Sequence, residues 1–379
     1  MQHRGHSGIQ RKSIKLLNAL YSIPVTLLLS ANASAYDINK KLAVGGVVAG
    51  AVQCQNLSNA ADSSNTCKGA APFQLEVSLR PTAADEVFFK LGFAAGNALN
   101  EITPFIIPPW AAVLEEDVKN INGRNRDYLL AAWYKHTFSF NDDHTLGATI
   151  GIIDSTSYLD ENAYANDEYT QFMNASLTNG PNVFLPSFDV GGALEWNTGS
   201  WSLHGVLMDI GENDDGNNFS FYGLQAGYSV SNSLGEGNYR FVIAGASEDF
   251  LNPQGTQLED RAGGLLSFDQ QFGSIVGGWI RFGWQTTDAA VDYGAIYSGG
   301  IDIKGAGWGR NKDNIGLGYA YLNGGNLDID TSQVAEAYYR WKLGNILGLT
   351  ADVQYMKDDY EEKQNPNGWN FGLRATAEF

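Results

Sequence analysis

The last eleven residues of the chain alternate without a break between apolar side chains and polar or small ones. Positions 369, 371, 373, 375, 377 and 379 are apolar, and the positions between them are Asn370, Gly372, Arg374, Thr376 and Glu378. A period of two residues puts the apolar side chains on one face of a β-strand and the others on the opposite face. The chain therefore ends in a strand between an apolar and a polar environment, and Phe379 is the last residue of its apolar face.

The same alternation recurs upstream, over 73–80, 335–342 and 347–355. Segments of about ten residues with this period are typical of transmembrane β-barrels. The chain divides into sixteen candidate strands, near 41–53, 73–80, 86–96, 127–140, 144–153, 187–197, 200–210, 219–230, 237–247, 261–272, 274–286, 293–304, 313–323, 332–343, 347–356 and 369–379. Their even number agrees with a barrel whose two termini lie at the same end.

The connections between these strands alternate between tight turns and long loops. The long ones lie near 54–72, 97–126, 154–186, 248–260 and 357–368. Outer-membrane barrels have short periplasmic turns and longer outer loops, whereas a soluble β-sandwich has no reason to sort its loops in this way. The sequence therefore predicts an all-β protein, a transmembrane antiparallel β-barrel of about sixteen strands with both termini on the periplasmic side.

Residues 1–35 have the three parts of a secretory signal peptide. Four basic residues within positions 4–15 precede an apolar stretch over 16–29, and Ala33-Ser34-Ala35 follows. Cleavage after Ala35 removes four basic and no acidic residues, so the mature chain has 344 residues and its formal charge changes from -18 to -22. We expect residues 36–379 to form a single barrel domain outside the cytoplasm.

Composition and motifs exclude several classes of protein. The 42 acidic residues outnumber the 24 basic ones, which argues against nucleic acid as a partner, since phosphate binding rests on Lys and Arg. No apolar run of about 18 residues is long enough for a transmembrane helix. The three histidines of the mature chain are isolated, and no catalytic or nucleotide-binding motif occurs. We expect no enzyme activity, no cofactor and no metal site.

Cys54 and Cys67 are the two cysteines, thirteen positions apart in a polar stretch. In an oxidising compartment outside the cytoplasm, they are expected to pair with each other within one outer loop. A disulfide that closes a loop of this size stabilises a protein by about 3 kcal/mol in the chain-entropy treatment.

Several stretches of the chain resemble the carbohydrate-selective porin family of the OprB type. They are FFKLGFAAGNALNEITPF (88–105), INGRNRDYLLAAWYKHTF (121–138), GIIDSTSYLDENAYANDEYTQFMNASL (151–177), GAGWGRNKDNIGLGYAYLNGG (305–325) and VAEAYYRWKLGNILGLTADVQY (334–355). The resemblance implies a sixteen-stranded barrel in the bacterial outer membrane that admits monosaccharides and related small polar solutes by facilitated diffusion through a charged constriction. It also implies that Phe379 ends a signal for the barrel assembly machinery, that lipid surrounds the barrel, and that a homo-oligomer is compatible with the fold. The segment around the two cysteines departs from the family pattern.

The polar faces of the strands should line a water-filled lumen if the apolar faces meet lipid. The alternation directs polar side chains inward from most strands, and the sugar-binding candidates among them are Glu76, Arg80, Trp279, Arg281, Gln285, Glu336, Arg340 and Arg374. Trp279, Arg281 and Gln285 share one strand face and combine an aromatic surface with donors and acceptors for sugar hydroxyls. The alternative for each of these residues is a salt-bridge lattice that only stiffens the barrel.

Loop 154–186 carries several acidic and tyrosine side chains and has two alternative placements. It either folds inward, where it narrows a barrel wide enough for an aqueous channel, or forms an exposed acidic cap. Three alternatives to a sugar porin also remain at this point: a general porin, a secreted β-rich lectin or adhesin, and an outer-membrane enzyme.

Overall fold

The computed structural model describes residues 36–60, 65–141 and 143–379, which form one closed antiparallel sheet. The predicted signal peptide lies outside the described residues. The strands are β1 (Tyr36–Asn39), β2 (Leu42–Ser58), β3 (Thr66–Ala70), β4 (Phe73–Leu79), β5 (Asp85–Phe93), β6 (Leu129–Asn141), β7 (His144–Ile153), β8 (Asp189–Thr198), β9 (Trp201–Ile210), β10 (Phe219–Ser231), β11 (Glu236–Leu251), β12 (Leu258–Phe272), β13 (Val276–Gln285), β14 (Tyr293–Lys304), β15 (Asn314–Gly324), β16 (Ile329–Leu343), β17 (Leu347–Tyr360) and β18 (Asn367–Glu378).

Sixteen of these strands form the barrel wall, and β1 and β3 are short additions that pair with β2. The sixteen predicted strands are all present, and the all-β barrel is confirmed. The strands β2, β11, β12 and β17 reach farther than predicted at the end with the long loops. Backbone pairing continues there although apolar and polar side chains no longer alternate regularly, so the pattern does not mark the end of the strand.

The barrel closes between β2 and the last strand, β18. Residues 47–58 of β2 pair with residues 367–378 of β18, and residues 42–48 of β2 pair with β4 on the other side. The backbone of Phe379 exchanges two hydrogen bonds with Gly46, at 2.9 and 3.1 Å. A closed sheet leaves no unpaired edge, as hydrocarbon requires.

The first outer connection is shorter than predicted, because the disulfide does not lie in a loop. Cys54 belongs to β2 and Cys67 to β3, and the two residues are directly paired across the ladder. Their sulfur atoms are bonded. The prediction that the pair sits within one outer loop was wrong, since the hydrogen-bonded ladder continues through this polar stretch.

Two of the long connections fold into the barrel. They are residues 94–128, called here the second loop, and residues 154–188, called the constriction loop. The constriction loop contains the helix α1 (Ala175–Thr178) and two 3-10 turns, Ser155–Ser157 and Pro181–Val183. The other two 3-10 turns are Ile121–Gly123 in the second loop and Gly305–Trp308 between β14 and β15. None of the helices among the described residues has the length and apolar character to cross a membrane.

On β9, β11 and β12 the inner face of the barrel carries apolar side chains that the constriction loop covers. Leu159 and Val183 of this loop are fully buried against Val206, Val242 and Leu265 from β9, β11 and β12. Apolar side chains on the outer face are exposed instead, and they include Ile150, Leu207 and Leu373. The hydrophobic core therefore lies inside the barrel, between loop and wall, and the side chains of the outer apolar belt stay exposed among the described residues.

Candidate functional site

Arg281 on β13 is the centre of the contact between the barrel wall and the constriction loop. Its Nε donates to Asp160 Oδ1 at 2.9 Å, and both side chains have no exposed surface. Its terminal nitrogens donate to the backbone carbonyls of Ala165, Leu177 and Thr178 at 2.5, 3.3 and 3.1 Å. A buried charge is tolerated only when it is paired and hydrogen-bonded. The loop provides the ion pair through Asp160 and the hydrogen bonds through its backbone carbonyls.

Two further charged residues of the wall hold the same loop. Glu336 on β16 accepts hydrogen bonds from the backbone N–H groups of Met173 and Asn174 at 2.6 and 2.9 Å. Arg374 on β18 donates to the carbonyls of Glu168 and Gln171 at 2.6 and 2.8 Å. We call Arg281, Glu336 and Arg374 the loop anchors, because the side chain of each binds loop backbone or the loop's own carboxylate.

Sugar contact by Trp279, Arg281 and Gln285 stays a prediction that the structure does not support. All three point into the barrel as predicted, but they are buried. The Trp279 ring packs edge-on against Phe172 of the constriction loop with 5.7 Å between ring centroids. The loop covers the surface that a sugar ring would need.

Two other candidates lie at the end of the barrel with the short turns. Arg80 follows β4 and approaches Glu86 at 3.5 Å, and 46% of its side chain is exposed. Arg340, together with Lys342, forms an ion pair with Glu378 close to the carboxyl end of the chain. These pairs lie away from the constriction loop, and they do not form one site with the strand β13 candidates.

The second loop also lies inside the lumen, and it packs on the constriction loop. Gln53 and Gln354 donate to the carbonyl of Pro109 at 3.2 and 2.9 Å. Trp110 is fully buried, and its indole N–H donates to the carbonyl of Glu168 at 2.9 Å. The two loops therefore close off the lumen beside β13–β18 and β2.

Three ion pairs occupy inward-facing positions on β4–β12. Glu76 and Lys90 lie 3.2 Å apart and keep 27% and 23% of their side chains exposed. The other two pairs are Lys135–Glu195 at 2.5 Å and Arg240–Asp269 at 2.6 Å, in which the cations keep 12% and 11% of their side chains exposed and the carboxylates are buried. We call these six residues the charged wall. The greater exposure of the Glu76–Lys90 pair contrasts with the complete burial of Arg281 and marks the part of the lumen that solvent can reach.

The constriction loop presents two acidic side chains, Glu161 and Glu168, toward the charged wall. We call these two residues the acidic edge of the loop. Burial raises the pKa of Glu161 to about 7, against the lowering effect of Arg240 and Lys135. Burial and then the neighbouring Asp167 raise the pKa of Glu168 to about 7, against the lowering effect of Lys90. Each of these carboxyl groups thus faces a cation of the wall and titrates near neutrality.

His204 on β9 fixes the start of this acidic edge. Its Nδ1 lies 2.9 Å from the carbonyl of Tyr158 and 3.8 Å from Glu161 Oε2. An Nδ1–H that donates to the carbonyl leaves Nε2 as the acceptor of the ring. The histidine was isolated in sequence, and the fold brings two acids beside it, Glu195 through the pairing of β8 with β9 and Glu161 through the constriction loop.

Sequence reasoning omitted Lys135 from the lumen, although the signal was present. Tyr134 and Phe138 on either side of it are exposed on the outer face of the barrel, so the alternation of β6 directs Lys135 inward. Nothing in the pattern of single strands distinguishes the charged wall from the loop anchors, because both sets are charged residues on inward-facing positions.

Comparison with known proteins agrees with this architecture. A family model described as carbohydrate-selective porin, OprB family, matches residues 114–379. An uncharacterized protein of Aquifex aeolicus (strain VF5) is 31% identical over 280 residues, which are 72% of this chain and 79% of that protein.

Solved structures share the fold at low sequence identity. The high-pH structure of OprB from Pseudomonas putida has a TM-score of 0.71 and 17% identity, and the match covers 89% of this chain and 94% of that chain. OccK11 of Pseudomonas aeruginosa has a TM-score of 0.51 and 9% identity, over 89% of this chain and 96% of that chain. The chain belongs to the carbohydrate-selective porin family, OprB, and is a β-barrel channel of the bacterial outer membrane rather than an enzyme.

Proposed function

We propose that sugars cross this porin between the charged wall and the acidic edge of the constriction loop. The observation that carries the proposal is the difference in exposure. The Glu76–Lys90 pair keeps about a quarter of each side chain exposed, whereas the Arg281–Asp160 pair has no exposed surface. A permeating solute can contact only the exposed set.

The chemistry of the charged wall suits a neutral polyol. Lys and Arg donate hydrogen bonds to hydroxyl oxygens, and carboxylates accept hydrogen bonds from hydroxyl hydrogens, so alternating pairs can exchange contacts with vicinal hydroxyls. Because each cation of the wall has an anion beside it, the wall has no net charge that would favour one sign of ion strongly. Groups already paired with each other also bind a passing sugar weakly, and conduction needs weak binding.

The rigid-lattice alternative applies to the loop anchors rather than to the charged wall. Arg281 and Arg374 donate hydrogen bonds to backbone carbonyls of the constriction loop, and these contacts fix the loop in the lumen. A general porin without sugar preference remains the second candidate. It would pass solutes by size and show no saturation.

Current recordings in planar bilayers test the proposal. We expect D-glucose to reduce the ionic current in a saturable manner, whereas a neutral solute of similar size without hydroxyl groups should act only through viscosity. The Lys90→Gln variant should weaken the sugar block with little change in folding, because its pair with Glu76 is partly exposed. Equal, non-saturating effects of both solutes would favour the general porin.

Assembly of the barrel belongs to the same proposal. The backbone pairing of Phe379 with Gly46 supports the role of the last residue as the end of the signal for the barrel assembly machinery. A Cβ atom at Gly46 would lie 2.1 Å from the carbonyl oxygen of Gln74 and 3.2 Å from the Phe379 ring. Only glycine therefore fits at this position, where β2 meets the end of the chain. Phe379→Ala should reduce the amount of protein in the outer membrane, and a quantitative blot of membrane fractions measures it; equal amounts would contradict the role.

Three further expectations complete the proposal. The signal peptide should be absent from the mature protein, outer-membrane lipid should cover the apolar belt, and association of several barrels is to be tested by native electrophoresis in mild detergent. An amino-terminal Tyr36 in the purified protein, found by mass spectrometry, is the expected result for the first of these.

A further inference from the structure

Arg261 lies inside the outer end of the barrel, apart from the loop anchors and the charged wall. It is near the start of β12, and it is partly buried. Its guanidinium carbon lies 4.4 Å from the ring centroid of Phe184 in the constriction loop and 5.2 Å from that of Phe250 on β11. An arginine held flat between aromatic rings offers the other edge of its fork to a ligand.

The guanidinium of Arg261 is poorly satisfied. Its Nη2 donates to Gln285 Oε1 at 2.8 Å, while its Nε is buried and has no hydrogen-bond partner among residues 36–60, 65–141 and 143–379. No carboxylate of these residues lies within ion-pair distance of it, in contrast to Arg240 and Arg281. Burying an unpaired donor costs free energy, so packing alone favours an apolar or amide side chain at this position.

Acceptors for a ligand lie close to this arginine without binding it. Asp292 in the connection between β13 and β14, and Asp214 between β9 and β10, are within electrostatic range of Arg261. The carboxylate of Asp292 accepts no side-chain hydrogen bond in the described part of the chain, and burial and Asp214 raise its pKa. Gln285 links Arg261 and Asp292, because it accepts from Arg261 at 2.8 Å and donates to the carbonyl of Tyr293, next to Asp292, at 2.5 Å. A donor fork, an aromatic surface and an acceptor carboxylate are thus gathered at one mouth of the channel.

We propose that Arg261, Phe184 and Asp292 form an outer sugar subsite that captures a saccharide ring before it enters the constriction. Hydroxyl oxygens accept from the guanidinium, hydroxyl hydrogens are donated to Asp292, and the apolar side of the ring contacts the aromatic cluster. A neutral polyol fits better than an anion, because the carboxylates beside the arginine repel negative charge. The inference rests on the proposed sugar transport, and it adds a site at a depth that the charged wall does not reach.

The test is side-specific sugar block of single channels in planar bilayers, with D-glucose added to one side at a time. The parent channel should show faster association from the outer mouth than from the opposite mouth. Arg261→Gln should slow association from the outer mouth by about tenfold, the loss of one charge-assisted contact, and leave the opposite mouth unchanged. Arg261→Lys keeps the charge without the planar fork and should recover only part of the rate.

Lys119→Gln is the matched control at the same end of the barrel. Lys119 lies in the second loop, pairs with Glu115 at 2.6 Å, and 52% of its side chain is exposed. The variant removes the same charge outside the subsite, so sugar association should stay at the parental rate. Asp292→Asn provides an independent variant in a connection outside the strands, and it should slow outer association in the same way as Arg261→Gln.

The outcomes separate the two proposals. Outer association that is unchanged in Arg261→Gln and Asp292→Asn, in channels that still show saturable block, overturns the subsite and leaves the constriction proposal standing. An equal loss in Lys119→Gln also overturns it, since general electrostatics then explains the effect. A parent channel without saturable block from either side refutes the proposed sugar recognition, and the subsite with it.

Discussion

Loop anchors and charged wall differ in what covers them. Both sets are charged side chains on the inner face of the barrel, but Arg281 and Arg374 have no exposed surface, whereas Lys90 and Glu76 keep about a quarter of theirs. The first set binds loop backbone, and the second faces the open part of the lumen. The same residue types therefore hold the channel narrow on one side and line it on the other.

The largest effect should follow the loss of the central anchor. Arg281→Met leaves Asp160 buried without its partner and should lower the free energy of unfolding by about 3–5 kcal/mol. The released loop should also widen the channel and raise its conductance. Urea unfolding in lipid vesicles and single-channel recordings measure the two effects.

Arg80→Met is the control for this comparison, since Arg80 is an inward candidate with 46% of its side chain exposed. Its unfolding free energy should change by less than about 1 kcal/mol. Similar losses of stability in both variants would mean that burial under the constriction loop does not distinguish the two kinds of charge.

A smaller loss is expected at the second arginine anchor. Arg374→Met removes two charge-assisted hydrogen bonds to the carbonyls of Glu168 and Gln171, but, unlike Arg281, Arg374 forms no close ion pair with a carboxylate of the described residues. The free energy of unfolding should fall by about 1.5–3 kcal/mol. Its sugar block should persist; a variant with normal stability and no sugar block would instead assign Arg374 to the channel lining.

The charged wall should give the reverse pattern. Lys90→Gln should reduce sugar affinity by roughly threefold to tenfold, the range of one exposed charge-assisted contact, and change stability by less than about 1 kcal/mol. Sugar titrations of the channel current, together with urea unfolding of the same preparation, measure both. Large destabilisation without any change in sugar block would place Lys90 among the structural residues.

The smallest effect concerns pH and the acidic edge of the constriction loop. Glu161 and Glu168 have pKa values near 7, so they are charged above this pH and lose their charge below it. Cation preference should therefore fall as the pH is lowered from about 8 to about 6, a range in which ordinary carboxylates stay ionised. Reversal potentials in a salt gradient report this change.

Glu161→Gln is the control for the pH prediction. At high pH this variant should already have part of the reduced cation preference that the parent channel shows at low pH. Its cation preference should also depend less on pH than that of the parent. An unchanged pH profile would mean that Glu161 does not face the conducting path. The same raised pKa means that the folded state binds more protons than the unfolded chain between about 4.5 and 7, so these groups reduce stability as the pH rises through that range.

Much of the barrel could be predicted because its strands obey a local rule. Each strand separates lipid from the interior, so side chains alternate with a period of two wherever both environments are present. The rule failed around Cys54 and Cys67, where the strands continue outside the lipid belt and no apolar face is needed. It also failed on β9–β12, whose inner faces carry Val206, Val242 and Leu265 because a loop covers them.

The candidate site could be predicted only in its residue types. Trp279 and Arg281 were correctly directed inward, but whether an inward residue meets water or protein depends on where a loop of more than thirty residues lies. Lys90 and Arg240 have the same sequence signature as the anchors. Their partial exposure follows from the fold of the constriction loop, which leaves that side of the lumen open.

The sequence by itself determined the barrel, its strand count, the sorting of its loops and its porin family, because these features depend on local periodicity and on motifs within single segments. The tertiary structure alone decided that the acidic loop folds inward and that Arg281 binds Asp160 rather than a sugar. The physical reason is that the free energy of a buried charge depends on partners more than a hundred residues away. No pattern within one strand contains that information.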